Sequence, residues 1–307
     1  MHTLIMGTGA VGAYFGGRLA RAGAAVTFVA RGATLTALQR DGLRMVAGAD
    51  SVTVRPVRAV ATPGEAGRCD LVLVCVKSYD TADAAAALRP VVGPDSIVVS
   101  LQNGIENEAV LAAVMGLPPL LGGLTHIGAE LVAPGVVRHE SGGRIIFGEF
   151  DGSRTPRVER LATLFREAGV DHRVSANIHV MLWDKLAWNA AFNAVTALSG
   201  RTVGQVLGDA DGRALVRAAL LEVIAVGRAA GVALDATRVD AILARSAGEL
   251  GPLRTSMLQD RERGRRLECD GLQGAVLRSA EGTGVEAPIT RVLHALLALA
   301  GATPTRR

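Results

Sequence analysis

Short apolar runs alternate with helical stretches along the first half of the chain. The runs predicted as strands lie at 2–6, 25–30, 71–76 and 97–99, and the helical patterns lie at 10–22, 81–88 and 105–114. Apolar runs of this kind are typical of strands that are buried on both faces, as in a parallel sheet between two layers of helices. The pattern therefore predicts an α/β fold that begins with a parallel sheet.

After residue 122 the pattern becomes less regular and then wholly helical. Shorter strands are predicted over 122–150, with turns at 134–135 and 141–143, followed by a helix over 155–168 and a strand over 170–174. Beyond 175 the predicted elements are all helices, at 178–198, 210–230, 235–247, 254–258, 268–281 and 288–300. We therefore expect a first domain at 1–174 and an all-helical C-terminal domain at 175–307.

Composition excludes several classes of protein. The 307 residues are 49% hydrophobic and carry a net charge of +4, which excludes a disordered chain and gives no reason to expect nucleic acid or an anionic membrane as a partner. Uncharged stretches at 1–17 and 109–129 are interrupted by glycines, and the second also by Pro118 and Pro119, so neither a signal peptide nor a membrane span is expected. Three cysteines without metal-ligand spacing fit a cytoplasmic protein with no disulfide framework and no metal site.

A glycine-rich loop joins the first predicted strand to the first predicted helix. It reads G-x-G-x-x-G, and this position in a βαβ unit is the dinucleotide-binding fingerprint of a Rossmann-type domain. The first glycine permits a tight turn, the second lets the backbone approach the pyrophosphate, and the third packs the helix on the strand. Free N–H groups at the helix N-terminus attract the phosphates. The predicted cofactor-binding residues of this loop are Gly7, Thr8, Gly9, Ala10, Val11 and Gly12.

The end of the second predicted strand bears on the choice of dinucleotide. A site that prefers NAD places Asp or Glu there to bind the ribose 2′-hydroxyl. This chain has Arg31 instead, and no acidic residue follows until Asp41. An arginine pairs well with a 2′-phosphate, so we expect NADP, in the form of NADPH, to be the cofactor. The alternative is that Arg31 is a solvated loop residue.

Lysine usage singles out two further positions. Of the 33 basic residues only Lys77 and Lys185 are lysines, and a partly buried lysine, unlike an arginine, can release its proton near neutral pH. Lys185, Asn189 and Asn193 recur every four residues in an otherwise apolar helix, so they form one polar stripe. The stripe is interpreted as a wall that presents an ammonium and two amides to a polar substrate, or alternatively as a solvated face.

Two more candidates follow predicted strands of the sheet. Lys77 follows the strand at 71–76, and Asn103 follows the strand at 97–99. Ligands of open α/β sheets bind beyond the carboxyl ends of the strands, so both side chains are predicted to reach the nicotinamide, the ribose or the substrate.

These residues together resemble the ketopantoate reductase (2-dehydropantoate 2-reductase) family. The order and spacing of the motifs hold from residue 1 to about residue 290. The matching segments are Gly7–Gly12, Lys77, Leu101–Gly104, Leu182–Asn189, Asn193 with Thr196–Ala197, and Ser256–Asp260 with Glu268.

The resemblance implies a Rossmann domain followed by a helical domain, and NADPH-dependent reduction of 2-dehydropantoate to (R)-pantoate in pantothenate and coenzyme A biosynthesis. It implies that Lys185 donates a proton to the ketone oxygen and that Glu268 orients Lys185 and touches the cofactor. Substrate-binding roles are implied for Asn103, Lys185, Asn189, Asn193 and Ser256. Cofactor contacts are implied for Arg31 at the 2′-phosphate, for Lys77 near the nicotinamide ribose, and for Asn103.

The chain departs from the family pattern in two places. After Glu268 the family tends to read Ile-Asp-Tyr-x-Asn-Gly, whereas this chain reads Cys269-Asp270-Gly271-Leu272-Gln273-Gly274. A further asparagine sometimes found in the family would fall near Val203. These departures leave open a related reductase that acts on another 2-keto acid or forms opines. A non-catalytic NADPH sensor is the alternative outside enzymes. Helical second domains of this plan often pair, so a homodimer is also left open.

Overall fold

The computed structural model describes residues 1–116 and 119–302, so Pro118 of the predicted loop lies outside the described residues. The chain separates into two compact units. The first comprises Met1–Gln102 and Asn107–Ile178, and the second comprises Asn103–Glu106 and the chain from His179 onward. The predicted boundary between 174 and 175 stays a prediction.

The first unit is built on one mixed sheet. In chain order the strands of the described residues are β1 (His2–Met6), β2 (Ala25–Val29), β3 (Leu43–Ala47), β4 (Asp50–Val54), β5 (Arg58–Val60), β6 (Leu71–Val74), β7 (Ile97–Ser100), β8 (Leu120–Ala133), β9 (Val136–Gly148) and β10 (Asp171–Val174). The order across the sheet is β4-β3-β9-β8-β7-β6-β1-β2-β5, and β10 pairs with β9. From β5 to β8 the strands are parallel, in the order 3-2-1-4-5-6 of dinucleotide-binding folds.

Helices cover the sheet and form the second unit. The first unit contains α1 (Ala10–Arg21), α2 (Gly32–Asp41), α3 (Thr81–Leu88), α4 (Asn107–Met115) and α5 (Pro156–Glu167). The helices that follow are α6 (Ile178–Ser199), α7 (Val203–Gly208), α8 (Ala210–Ala229), α9 (Val239–Glu249), α10 (Ser256–Glu262), α11 (Ala275–Thr283) and α12 (Pro288–Ala302). A π-helical turn at Asp270–Gly274 runs directly into α11. No helix in the described part of the chain combines the length and apolarity needed to cross a membrane.

The parallel strands explain why the apolar pattern is continuous. Every residue of β6 and β7 is buried, because these central strands are covered on both faces. The predicted α/β class, with a Rossmann-type domain followed by helices, is confirmed by this arrangement.

The long hairpin of β8 and β9 corrects one prediction. The predicted turn at 134–135 joins these strands, but the predicted turn at 141–143 lies inside β9. There Gly142 and Gly143 have φ values of +68° and +109°, and the register with β8 shifts between His126 and Ile127. The two glycines therefore form a β-bulge, in which the strand continues with an extra residue instead of reversing.

Elements between residues 31 and 70 carry no clear sequence signal. The sequence pattern predicts no helix or strand there, yet the structure contains α2, β3, β4 and β5. Strands β3 and β4 alternate between covered and exposed positions and lie at one edge of the sheet, so they lack a continuous apolar run. The sequence pattern also predicts no helix at α7, which is only six residues long.

Candidate active site

Each glycine of the G-x-G-x-x-G loop meets a different physical demand. Gly7 has φ +98°, a left-handed conformation that favours glycine. A Cβ on Gly12 would lie 2.2 Å from the Gly7 carbonyl oxygen, so only glycine allows this contact between helix and turn. A Cβ on Gly9 would meet no atom within 4 Å. The first and third glycines are therefore required by the conformation and packing of the loop, whereas the second faces open space.

The start of α1 presents unpaired backbone N–H groups beside that open space. The first helical bond runs from the Ala13 N–H to the Gly9 carbonyl at 2.9 Å, so the N–H groups of Ala10, Val11 and Gly12 have no partner within the helix. No acidic residue lies in the first turn. A positive helix end with no acidic residue in its first turn suits a phosphate, so the residues present fit a dinucleotide.

Thr8 holds the loop against the end of β2. Its N–H and its hydroxyl both donate to the Val29 carbonyl, at 3.1 and 2.8 Å. The hydroxyl of this buried side chain is thus engaged in fixing the loop.

Arg31 lies two residues beyond β2, where it is exposed and serves as the N-cap residue of α2. The first turn of α2 holds no acidic residue, and Asp41 at its end pairs with Arg40 at 2.6 Å. The first turn of α2 therefore contributes no carboxylate that would repel an anion near Arg31.

Hydrogen bonds connect the carboxyl ends of β1, β6 and β7. The Cys75 N–H donates to the Met6 carbonyl at 2.8 Å, and the Leu101 N–H donates to the Val74 carbonyl at 2.9 Å. Buried Gln102 adds a side-chain bond, from Nε2 to the Val76 carbonyl at 3.0 Å. That bond fixes the backbone immediately before half-buried Lys77. The sequence alone predicts no role for Gln102, although it stands between Leu101 and Asn103 in the segment Leu101–Gly104.

The thiol of Cys75 is structural. Burial raises the pKa of this thiol to about 12, so it stays protonated at neutral pH. Its backbone and Cβ lie where a side chain on Gly7 or Gly12 would have to fit. Cys75 therefore closes the underside of the glycine loop.

In the second unit, helix α6 buries its polar stripe. Asn189 and Asn193 are 7% and 2% exposed, and Lys185 is half-buried, so the stripe is not a solvated face. The Asn189 Nδ2 donates to the Asn103 Oδ1 at 3.4 Å. This contact connects α6 to the segment Asn103–Glu106, which belongs to the same unit. A buried line of one ammonium and amides is suited to a polar ligand.

A pair of buried threonines attaches α10 to α6. The hydroxyls of Thr196 and Thr255 lie 2.7 Å apart, and Thr255 caps α10 by accepting from the Leu258 N–H. Ser256, the first residue of α10, is exposed. Because Thr255 is bonded to α6, the threonine pair fixes the start of α10 and with it the position of Ser256.

Glu268 is 7% exposed and lies just before a π-helical turn. Its carbonyl accepts from the Leu272 N–H at 3.1 Å, and the π-helical turn follows two residues later. Turns of this type occur frequently at functional sites. Within the turn, fully buried Gln273 donates to the Ala190 carbonyl of α6 at 2.8 Å. In the sequence, Gln273 is distinguished only as a departure from the family pattern.

The predicted site residues fall into two sets. The first unit holds the glycine loop, Arg31 and Lys77. The second unit holds the remaining predicted residues, which are Asn103, Lys185, Asn189, Asn193, Ser256 and Glu268. Asn103, expected in the first domain, thus packs with the helices that carry the other substrate candidates.

Comparison with known proteins shows the family. The model of the family described as ketopantoate reductase PanE/ApbA matches residues 3–152, and the model of its C-terminal region matches residues 177–300. The 2-dehydropantoate 2-reductase of Mesorhizobium japonicum is 36% identical, over 97% of this chain and 96% of its own length. That of Halobacterium salinarum is 35% identical, over 98% of this chain and 99% of its own length.

A solved structure leads to the same conclusion. The crystal structure of 2-dehydropantoate 2-reductase from Geobacter metallireducens superposes with a TM-score of 0.93 at 35% identity, and the match covers 98% of this chain and all of that one. The two family models and the structural match all indicate the same family, so the chain belongs to the ketopantoate reductase PanE/ApbA family.

Proposed function

We propose that this protein is an NADPH-dependent 2-dehydropantoate 2-reductase that forms (R)-pantoate on the route to pantothenate and coenzyme A. The buried stripe of Lys185, Asn189 and Asn193, joined to Asn103, carries the proposal. It supplies one cation and several amides to a substrate with a carboxylate, a ketone and a hydroxyl. Full-length relatives named for this reaction support the choice of substrate.

The cofactor is assigned to the glycine loop and Arg31. The free N–H groups at the start of α1 would hold the pyrophosphate, and Arg31 would pair with the 2′-phosphate. Lys77 and Asn103 would lie near the nicotinamide ribose, and Glu268 would touch the cofactor. When bound, the reduced nicotinamide supplies a hydride to C2 of the keto acid.

Lys185 is the proposed proton donor. As C2 becomes tetrahedral, the ketone oxygen gains negative charge, and the Lys185 ammonium both stabilises that charge and protonates the oxygen. Proton transfer from a positioned group typically accelerates a reaction by about 10²–10⁴. Glu268, which is buried, is assigned the role of orienting the Lys185 ammonium. Asn103, Asn189, Asn193 and Ser256 hold the rest of the substrate.

The deciding experiment measures NADPH oxidation with 2-dehydropantoate beside several other 2-keto acids. We expect the highest kcat/KM with 2-dehydropantoate. A higher value with another keto acid would assign the protein to the related reductases that the changes at Gly271, Gln273 and Val203 left open. Tight NADPH binding without turnover of any keto acid would favour the sensor. Cytoplasmic location and a homodimer stay predictions.

A further inference from the structure

Three segments of the second unit carry all of its predicted site residues except Ser256. They are the strap Asn103–Glu106, helix α6, and the segment formed by Glu268 and the π-helical turn that follows it. The strap has no helix or strand of its own, so its position depends on its side-chain contacts. Asn103 lies at one end of the strap and Glu106 at the other.

Arg278 of α11 binds two of these segments at once. Its Nε donates to the Glu106 Oε1 at 2.9 Å and its Nη2 donates to the Glu106 Oε2 at 2.6 Å, a bidentate pair. Its Nη1 donates to the Asp270 Oδ1 at 3.0 Å, and its Nη2 also reaches the Asp270 carbonyl at 2.9 Å. Both acidic partners raise the pKa of Arg278. One guanidinium therefore connects the strap to the first residue of the π-helical turn.

The glycine at position 274 leaves space for the contact between Arg278 and Asp270, which together with Glu106 form a clamp. A Cβ on Gly274 would lie 2.6 Å from the Asp270 Oδ1 and 3.2 Å from the Arg278 Nη1. Any larger residue at Gly274 would displace the pair, so the absence of a side chain there leaves room for it.

The other two pairs of segments are joined as well. Asn103 meets Asn189 between the strap and α6, and Gln273 donates to the Ala190 carbonyl between the π-helical turn and α6. With the Arg278 clamp, each segment is tied to both of the others. Such a closed set of contacts restricts Asn103, Lys185 and Glu268 more strongly than any one bond does.

We propose that Arg278 is a positioning residue, which holds Asn103 in register with Glu268 through its bonds to Glu106 and Asp270. The proposal rests on the proposed function, because it assigns Asn103 and Glu268 to the reacting ligands. A misplacement of about 1 Å in a ligand-orienting group can lower catalysis by about 10². A half-exposed ion pair contributes little to folding, so its loss would act on catalysis more than on stability.

The chain offers a matched control for the clamp. Arg217 pairs with Asp240 at 2.9 Å between α8 and α9, and its side chain is 47% exposed, against 46% for Arg278. The control variant Arg217→Met removes the same type of ion pair in the same unit, and neither partner of that pair is a predicted site residue. Equal effects of Arg217→Met and Arg278→Met would mean that the clamp is merely structural.

The kinetic test compares Arg278→Met, Glu106→Gln and their double variant. For Arg278→Met we expect kcat/KM for the keto acid to fall about 10- to 100-fold, with the Tm matching that of Arg217→Met. The double variant should be no worse than Arg278→Met alone, because Glu106→Gln weakens the same ion pair that Arg278→Met already removes. Wild-type kcat/KM in Arg278→Met, or additive losses in the double variant, would overturn the proposal.

A second measurement does not depend on turnover. Amide hydrogen exchange over 103–106 should be faster in Arg278→Met than in the wild-type protein and unchanged in Arg217→Met. Unchanged exchange in Arg278→Met would overturn the clamp even if the wild-type protein reduced no keto acid. Inactivity of the wild-type protein toward every keto acid would instead count against the proposed function, so the two failures are distinguishable.

Discussion

Replacing Gly9 by alanine separates ligand binding from folding at the glycine loop. Gly9 has φ −78° and ψ −163°, an extended conformation open to any residue, and its Cβ position has no neighbour within 4 Å. Alanine is a poorer N-cap than glycine by about 1 kcal/mol, whereas the loss of unfolded-chain freedom stabilises by about 0.4–1 kcal/mol. These contributions nearly cancel, so the Tm of the cofactor-free protein should hardly change.

Binding of NADPH should respond strongly to the same change. The added methyl would occupy the space beside the free N–H groups of α1, and each charge-assisted hydrogen bond to phosphate is worth about 1.5–3 kcal/mol. Loss of one such bond raises the Kd by about 10- to 150-fold. Titration calorimetry with NADPH measures the Kd, and differential scanning calorimetry measures the Tm.

Two further variants make the result interpretable. Gly64→Ala adds a methyl into equally open space elsewhere in the first unit and should leave both the Kd and the Tm unchanged. Gly12→Ala brings its Cβ to 2.2 Å from the Gly7 carbonyl oxygen, so it should destabilise the cofactor-free protein by about 1–3 kcal/mol. An unchanged NADPH Kd in Gly9→Ala would refute the assignment of the pyrophosphate to this loop.

Three other predictions address the remaining chemistry. Lys185→Ala should lower kcat by about 10²–10⁴ and leave the Kd for NADPH unchanged, and an unchanged kcat would exclude Lys185 as the proton donor. Arg31→Ala should raise the KM for NADPH far more than that for NADH, and equal increases would refute pairing with the 2′-phosphate. Burial alone raises the pKa of Glu149, but the hydrogen bonds and charge of Arg157, with a hydrogen bond from Thr155, outweigh it and lower that pKa. The Glu149 carboxylate therefore stabilises the fold above about pH 4.3, and this contribution is lost as the pH falls through its lowered pKa. Urea unfolding should show that the free energy of unfolding decreases at acid pH, and that the decrease is smaller in Glu149→Gln.

Local sequence was sufficient to predict the parallel sheet, the glycine loop and the stripe on α6. A strand covered on both faces needs an unbroken apolar run, and β6 and residues 97–99 of β7 are such runs. The spacing of Gly7, Gly9 and Gly12 and the four-residue repeat from Lys185 are likewise visible within one element. Each signal arises because neighbouring residues share one backbone geometry.

Long-range contacts decided the rest. The glycines at 142 and 143 resemble a turn in sequence, and only pairing with β8 makes them a bulge. Burial of the Asn189 and Asn193 amides could not be distinguished from solvation until the surrounding helices were in place. Arg278 and Glu106 lie 172 residues apart, so no pattern along the chain connects them. Such contacts depend on where the folded backbone brings distant side chains, and a periodicity confined to one helix or strand carries no information about that.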